Sequence, residues 1–356
     1  LRYYSIKITN PSNGQLIQPP GFQGLLGDQT YGSFVNGQSL PEAWDFTCDI
    51  PIIDAATSQG FGLATVWGIS NAEISQSNNL NGMNIAVYGG MMKGLPLANP
   101  AQSGLLVQGS ILQCYGNNIG VDRTLDFVIS PVLATTDNPG GLGTLAKPKN
   151  IVLNWKAGQT LATALATTLS TAFPSVQQSI AISNNLVRAS DDVSFFPTLE
   201  QLAQYCRRVS FDIVKTSGYA GVSIVPFNGT LAVYDGSAAQ TQTTQIAFQD
   251  LIGQPTWLDG GVIQFKTVMR ADLNLTSNKG IMLPQTQIIN TSQANSNIIN
   301  QKLTFQGGFD IISARHVGHF RQPSADAWVS IFEAAPRQQV GASPTLDTTT
   351  SAGAIR

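Results

Sequence analysis

The segment Asn81-Gly82-Met83-Asn84-Ile85-Ala86-Val87-Tyr88-Gly89-Gly90 returns, one residue shorter, as Asn228-Gly229-Thr230-Leu231-Ala232-Val233-Tyr234-Asp235-Gly236. Each copy reads as a hairpin turn feeding a strand, because Asn-Gly accepts the positive φ angles of a type I′ turn and alternating apolar residues follow it. A second similar strand lies downstream of each, Leu106-Val107-Gln108-Gly109-Ser110-Ile111-Leu112 in one case and Val262-Ile263-Gln264-Phe265-Lys266-Thr267-Val268 in the other. The chain therefore reads as built twice, with Ala86-Val87-Tyr88 and Ala232-Val233-Tyr234 on equivalent strands. Chance likeness between short segments is the alternative. If the repeat is real, a symmetric oligomer presents twice as many similar domains as subunits.

A chain of 356 residues exceeds most single cores and suggests about two domains with a smaller insertion. Only 11% of its residues are charged, less than half of the roughly 25% usual in soluble domains, so polarity comes from Ser, Thr, Asn and Gln. Surfaces of that kind suit packing against other protein. The net charge of −2, with 19 basic against 21 acidic residues, argues against a protein that grips phosphates. The adjacent pair Arg207-Arg208 is read as the basic end of a helix facing its dipole. No apolar run approaches the roughly 20 residues that span a bilayer, and a soluble chain is expected. The chain opens on Leu1, so residues ahead of it are expected to have been removed or to lie outside this sequence, yet residues 2–8 do not read as a signal peptide.

Cys48, Cys114 and Cys206 are far apart with no C-x-x-C spacing, which reads as three buried, reduced thiols. The sequons at Asn228, Asn274 and Asn290 are expected by chance in so Asn- and Thr-rich a chain.

The section 1–131 reads as a first β-barrel tube-like domain. Trp44-Asp45-Phe46-Thr47-Cys48-Asp49-Ile50 alternates apolar and polar residues, as does Leu125-Asp126-Phe127-Val128-Ile129. Residues 132–150 are a linker. Within it Asp137-Asn138-Pro139-Gly140-Gly141-Leu142-Gly143 cannot sit in a sheet interior, and no G-x-x-x-x-G-K-[ST] completes a phosphate loop. Residues 151–214 make a small α/β insert. In it Leu161, Leu165, Leu169 and Phe173 stripe one helix that Pro174 ends, and Ser179-Ile180-Ala181-Ile182 forms a short strand. A second helix begins near Pro197, with Thr198 and Gln201 spaced as a capping box. Leu199, Leu202, Cys206 and Val209 are its buried stripe, and Asp191-Asp192 is assigned to its N-terminus. From 215 to 335 a second β-barrel tube-like domain follows, with strands at 262–271, 302–306, 309–314 and 327–332. Residues 336–356 form a flexible tail too poor in apolar residues to fold alone. The fold class is mainly β with a small α/β insert.

Catalytic chemistry is not legible. The two histidines, His316 and His319, fall on opposite faces of an extended strand, and zinc needs a third protein ligand. No G-x-S-x-G elbow appears. A pair of carboxylates for glycoside cleavage is set by spacing in space and stays open. No catalytic, cofactor-binding or metal residue is assigned, no cofactor is expected, and the chain is read as no enzyme.

At Gly68-Ile69-Ser70, Leu80-Asn81-Gly82, Gly94-Leu95-Pro96-Leu97-Ala98-Asn99-Pro100 and Gly104-Leu105-Leu106-Val107-Gln108-Gly109, the chain resembles baseplate hub proteins of contractile-tailed bacteriophages. Leu251-Ile252-Gly253-Gln254-Pro255-Thr256-Trp257, Arg315-His316-Val317-Gly318-His319-Phe320 and Asp326-Ala327-Trp328 extend the resemblance over most of the chain. The resemblance implies a homotrimer of two similar β-barrel tube domains per subunit, a pseudo-sixfold ring joining a threefold spike to a sixfold tail tube. DNA passes through its lumen without specific binding. The implied partners are a second and third copy of the chain, the tail spike, a tail tube or tube-adaptor protein and other baseplate proteins. The implied place is the virion tail baseplate, after synthesis in the host cytoplasm and without stable membrane insertion. Since the sequence stops soon after the second β section, spike and any lytic domain are expected on separate chains. Two readings compete: a tube, distal-tail or capsid subunit, and a carbohydrate-binding or carbohydrate-cleaving β protein of the virion.

Overall fold

In the computed structural model, residues 1–56, 61–93, 99–131, 150–174, 176–215, 219, 221–237, 242–258, 262–273, 279–284 and 308–336 are described. Several expectations lie outside them: nearly all of the 132–150 linker, the strand at 302–306, the tail beyond 336, the sequons at Asn274 and Asn290, and the first five residues of the Gly94 to Pro100 motif.

The first section carries β1 (Arg2–Thr9), β2 (Tyr31–Gly32), β3 (Phe34–Val35), β4 (Gln38–Ser39), β5 (Asp45–Ile52), β6 (Gly62–Trp67), α1 (Asn71–Gln76), β7 (Asn84–Met91), β8 (Gly104–Ile119) and β9 (Asp122–Ser130). The middle holds β10 (Ile151–Trp155), α2 (Leu161–Ala172), β11 (Gln177–Ala181), β12 (Asp192–Phe196), α3 (Leu199–Val214), β13 (Ser223–Phe227) and β14 (Thr230–Tyr234). The last section adds β15 (Gln242–Gln245), β16 (Thr256–Trp257), β17 (Ile263–Val268), β18 (Lys279–Met282), β19 (Phe309–His319) and β20 (Trp328–Pro336). The protein is mostly β, as its alternating strands lead one to expect.

One sheet runs through both β sections in the order β16-β17-β20-β19-β5-β6-β9-β8-β7-β1-β2, with β18 and β15 attached at β19. The join is the antiparallel pair β5·β19, from Ala314↔Ile52 to His319↔Thr47. Along β5 strict alternation buries Phe46, Cys48, Ile50 and Ile52. Phe46, Cys48 and Ile50 enter the core of the first section, Ile52 enters the core of the last, and Ala55 just beyond enters the core of the insert. A single strand thus contributes to two cores, with the third reached three residues past its end. The first sheet curls so far that Tyr4 of β1 stacks on Phe46 of β5, ring centroids 4.8 Å apart, and gives its hydroxyl to the Trp44 carbonyl at 2.7 Å.

The two copies of the repeated segment occupy different places. β7 lies between β1 and β8 in the large sheet, both neighbours antiparallel. β14 lies in a three-stranded sheet, antiparallel to β13 and parallel to β11 of the insert. Their turns differ too. Asn228 (φ 50°) and Gly229 (φ 76°) make the expected type I′ hairpin turn. Asn81 (φ −60°, ψ 130°) and Gly82 (φ 78°) instead form a type II turn closed by Met83 N–H to the Leu80 carbonyl at 3.1 Å, leaving a short 3₁₀ turn. A preceding helical turn lets Asn81 keep an ordinary negative φ, so only the glycine is left-handed. The expectation that Ala86-Val87-Tyr88 and Ala232-Val233-Tyr234 hold equivalent strands is corrected accordingly.

In the middle section α2 and α3 begin where their caps lie: Thr160 accepts from the Thr163 N–H and Thr198 from the Gln201 N–H. The stripes Leu161, Leu165, Leu169 and Leu199, Leu202, Cys206, Val209 are buried in one core with β10, β13 and β14. Two readings are corrected here. Asp191 and Asp192 do not serve the N-terminus of α3, because β12 intervenes. Asp191 binds the Ala157 N–H at 2.8 Å and Lys156 at 3.0 Å, while Asp192 takes Arg188, Tyr205 and Ser194. Arg207 and Arg208 sit two turns before the end of α3, with Arg207 4.0 Å from Asp54 and Arg208 over the Tyr205 ring.

Candidate functional site

Four strand ends, the start of β5, the end of β6, the start of β9 and the end of β19, open together at one mouth of the first section. A cleft of about 990 Å³ lies there. Its roof is the 21–26 loop, which Gln18 holds in shape: the side-chain amide donates to the Gly27 and Gln29 carbonyls and its oxygen accepts the Gly24 N–H at 2.9 Å. That clasp presents Phe22 against Trp44, centroids 4.9 Å apart, and Trp44 in turn packs edgewise on Tyr31 at 5.3 Å. Trp67 lines the same cleft, its indole N–H donating to the Thr47 hydroxyl at 3.4 Å.

The polar part of the lining divides into committed and free groups. Glu73 is buried, accepting the Tyr31 hydroxyl at 2.8 Å and the Ser70 N–H at 2.8 Å. Ser70 caps α1 through the Glu73 N–H. Asp45 accepts from His319 Nε2 at 3.1 Å and the Arg321 N–H at 3.2 Å, and Arg321 donates to the Ala43 carbonyl. The His319–Asp45 pair has the form of a base and its orienter, but Ser70, the hydroxyl of this lining, is committed to the cap. Glu42, Asp122 and Arg123 line the same space and have no partner among the described residues.

A second polar assembly lies between the β sections. Arg270 is 2% exposed and meets Asp272 at 2.6 and 2.7 Å and Asp250 at 3.2 Å, and Asp250 also accepts from Gln102 of the first section at 2.9 Å. The Arg270 N–H bonds Ser330 Oγ at 3.1 Å, and the same hydroxyl faces His316 Nδ1 at 2.7 Å. Burial alone pushes the His316 pKa down to about 4, because an imidazolium there would lose its hydration. Arg2 of β1 clasps the other side, donating to the His319 carbonyl at 2.7 Å, the Phe320 carbonyl at 3.1 Å and the Ser324 carbonyl at 2.8 Å.

His316 and His319 share β19 and point apart, one buried and one half-exposed in the cleft. Among the described residues no three His, Cys, Asp or Glu side chains gather where a metal could bind. Cys48, Cys114 and Cys206 are free and buried, their pKa values each raised to about 12 chiefly by desolvation. Asn228, read as a chance sequon, uses its side-chain carbonyl to accept the Gln108 N–H at 2.9 Å, and Asn81 does the same for Cys114 at 2.7 Å. The cleft was not read from the sequence. The Ser70-Asn71-Ala72-Glu73 capping box was the one local signal that could have marked its floor.

No family model and no curated protein matches the chain. Among solved structures it is similar to the 43 kDa tail protein of prophage MuSo2 from Shewanella oneidensis, with TM-score 0.50 and 7% identity over 94% of this chain and 98% of that one. A tail protein from Neisseria meningitidis MC58 aligns over 94% and 96% at TM-score 0.46 and 10% identity. A chain of a Francisella PdpA-VgrG complex aligns over 96% of this chain and 60% of its own length, at TM-score 0.44 and 8% identity. At these identities the likeness is one of fold.

Proposed function

We propose that the chain is a structural subunit of a contractile phage tail, and within it the hub of the baseplate. The observation that carries this reading is the fold held in common with the Shewanella prophage tail protein over almost the whole of both chains. The hub assignment adds that the first and last β sections act as similar tube-like domains, with the insert and the β13–β14 hairpin that packs in its core between them, and that three chains close into a ring.

The geometry of the task favours such a ring. A threefold spike and a sixfold tube cannot meet through identical subunit contacts, whereas three subunits with two similar domains each offer three contacts on one side and six near-equivalent ones on the other. Two features support the reading: one sheet spans both sections through β5·β19, and few cations are available to hold DNA phosphates in a lumen. Spike, tube and neighbouring baseplate proteins are the partners of this reading, and the chemistry asked of the chain is assembly rather than catalysis.

The test is the copy number of the chain in intact tails, by quantitative mass spectrometry against a tube protein of known stoichiometry, with particle reconstruction to give the symmetry. Three copies on a threefold axis are expected. Six copies, or hundreds, would replace the hub by a tube, distal-tail or shell subunit.

A further inference from the structure

We propose that the cleft at the mouth of the first β section binds a neutral saccharide. The proposal stands on the lining chemistry and does not depend on the hub assignment.

The lining eliminates other ligand classes in turn. A peptide added by strand pairing needs an unpaired edge, but β5, β6 and β9 are each hydrogen-bonded on both sides in the run β19-β5-β6-β9-β8. A phosphate or other anion meets Glu42, Asp45, Glu73 and Asp122 against two guanidiniums, and Arg321 already donates to the Ala43 carbonyl. A cation finds Glu73 already committed to Tyr31 and Ser70 and Asp45 to His319 and Arg321, and the remaining Glu42 and Asp122 share the lining with the Arg123 guanidinium. A wholly apolar ligand would strip water from Glu42, Asp122 and Arg123 with nothing in exchange.

What remains is a ligand with an apolar face and a rim of hydroxyls that both donate and accept. A pyranose ring has both. Its C–H face can lie on Trp44, Trp67 or Phe22, and its hydroxyls can donate to Glu42 and Asp122 and accept from Arg123. The Trp44 indole N–H has no partner among the described residues and adds a donor beside the Phe22 and Tyr31 rings. A volume of about 990 Å³ holds a short chain of rings rather than one, at the upper end of the roughly 300–1,000 Å³ of ordinary ligand pockets. The roof is formed before any ligand arrives, since Gln18 clasps the 21–26 loop to the carbonyls of Gly27 and Gln29.

The test uses the whole chain labelled with ¹⁵N at the indoles of its five tryptophans, titrated separately with maltotriose, mannotriose and triacetylchitotriose. At least one should shift the Trp44 and Trp67 signals saturably, with Kd of about 1 mM or tighter, and leave Trp155, buried in the insert, unmoved. The triple variant Glu42→Gln, Asp122→Asn, Arg123→Gln changes only exposed side chains and should weaken that binding by about tenfold or more, because hydrogen bonds to charged groups are lost. Trp44→Ala should abolish it, and unchanged spectra at Trp155 and Trp328 would establish that this variant is folded. Silence of Trp44 and Trp67 toward all three sugars at roughly 20 mM overturns the proposal. So does binding that the triple variant leaves intact, or a response to inorganic phosphate or a lysine-rich peptide in place of the sugars.

Discussion

His316 is a base held where it cannot take up a proton cheaply. Its ring is enclosed between the β5 and β20 neighbours of β19, with Ser330 Oγ at 2.7 Å and the edge of Phe332 beside it. The folded pKa of about 4 lies below the ordinary 6.5, so between these values the unfolded chain binds more protons than the folded one and stability rises with pH. The contribution is complete above pH 6.5 and is lost as pH falls through the window to 4, by on the order of 3 kcal/mol. Urea unfolding at intervals from pH 7 to pH 4 should therefore give a steeper fall for the wild type than for His316→Gln, since carboxylates titrate alike in both. Parallel curves would mean that the ring is solvated in solution. This behaviour was half legible in the sequence: the three-residue spacing on a strand fixes opposite faces for His316 and His319, but which face is the buried one depends on the partner strands β5 and β20.

Elements set by local chemistry were readable from local sequence. β5 alternates without a break and β9 does so from Leu125 to Ile129, the Leu stripe and Thr160 cap define α2, and Asn228-Gly229 fixes the β13–β14 hairpin. Elements set by distant partners were not. β10 and β12 exist as strands because they pair with each other across 37 to 45 residues, from Trp155↔Asp192 to Ile151↔Phe196, and without β12 the Asp191-Asp192 pair looked like a helix cap. The cleft gathers side chains from stretches spread between Phe22 and Arg321, a pattern no window of sequence contains. The β5·β19 join is of the same kind, and Gly318 marks it. A Cβ at Gly318 would stand 2.7 Å from the Trp328 ring and 2.8 Å from Cys48 Sγ, and Trp328 cannot swing away without giving up its 2.8 Å bond to the Gly90 carbonyl. Gly318→Ala should thus cost about 1–3 kcal/mol by overpacking. Gly62→Ala, whose Cβ would find its nearest neighbour at 3.5 Å, should stay within about 0.5 kcal/mol. Chemical unfolding of the two variants side by side checks this, and equal stabilities would show that β19 can shift on β5.

At the scale of the whole molecule, two of the three hydrophobic cores are built on one continuous sheet and the third, that of the insert, on the separate β10·β12 and β11·β14·β13 sheets, and the core boundaries do not follow the sequence boundaries. Val268, Met269 and Trp328 of the last section pack in the first core, while Ile224, Leu231 and Val233 pack in the core of the insert. A seam of this kind must also satisfy its polar groups, and the Asp250–Arg270–Asp272 group with Gln102 is where the first and last sections do so. Such a buried ionic group adds little net stability compared with a well-packed apolar replacement, but removing one member leaves charges without compensation. Asp250 is nearly as buried as Arg270, whereas the Asp272 side chain is about one-third exposed and can rehydrate. Arg270→Met should therefore destabilise the protein by about 3–5 kcal/mol, chiefly through Asp250. Adding Asp250→Asn removes that stranded charge and keeps an acceptor for Gln102, so the double variant should be more stable than Arg270→Met alone. Equilibrium unfolding of wild type, both single variants and the double variant gives the coupling directly. Additive effects would mean that Arg270 and Asp250 do not sense each other across the seam. A double variant that recovers stability would identify their pairing as a device that fixes how the last section seats on the first, the relation that an assembled ring of such chains would have to hold constant.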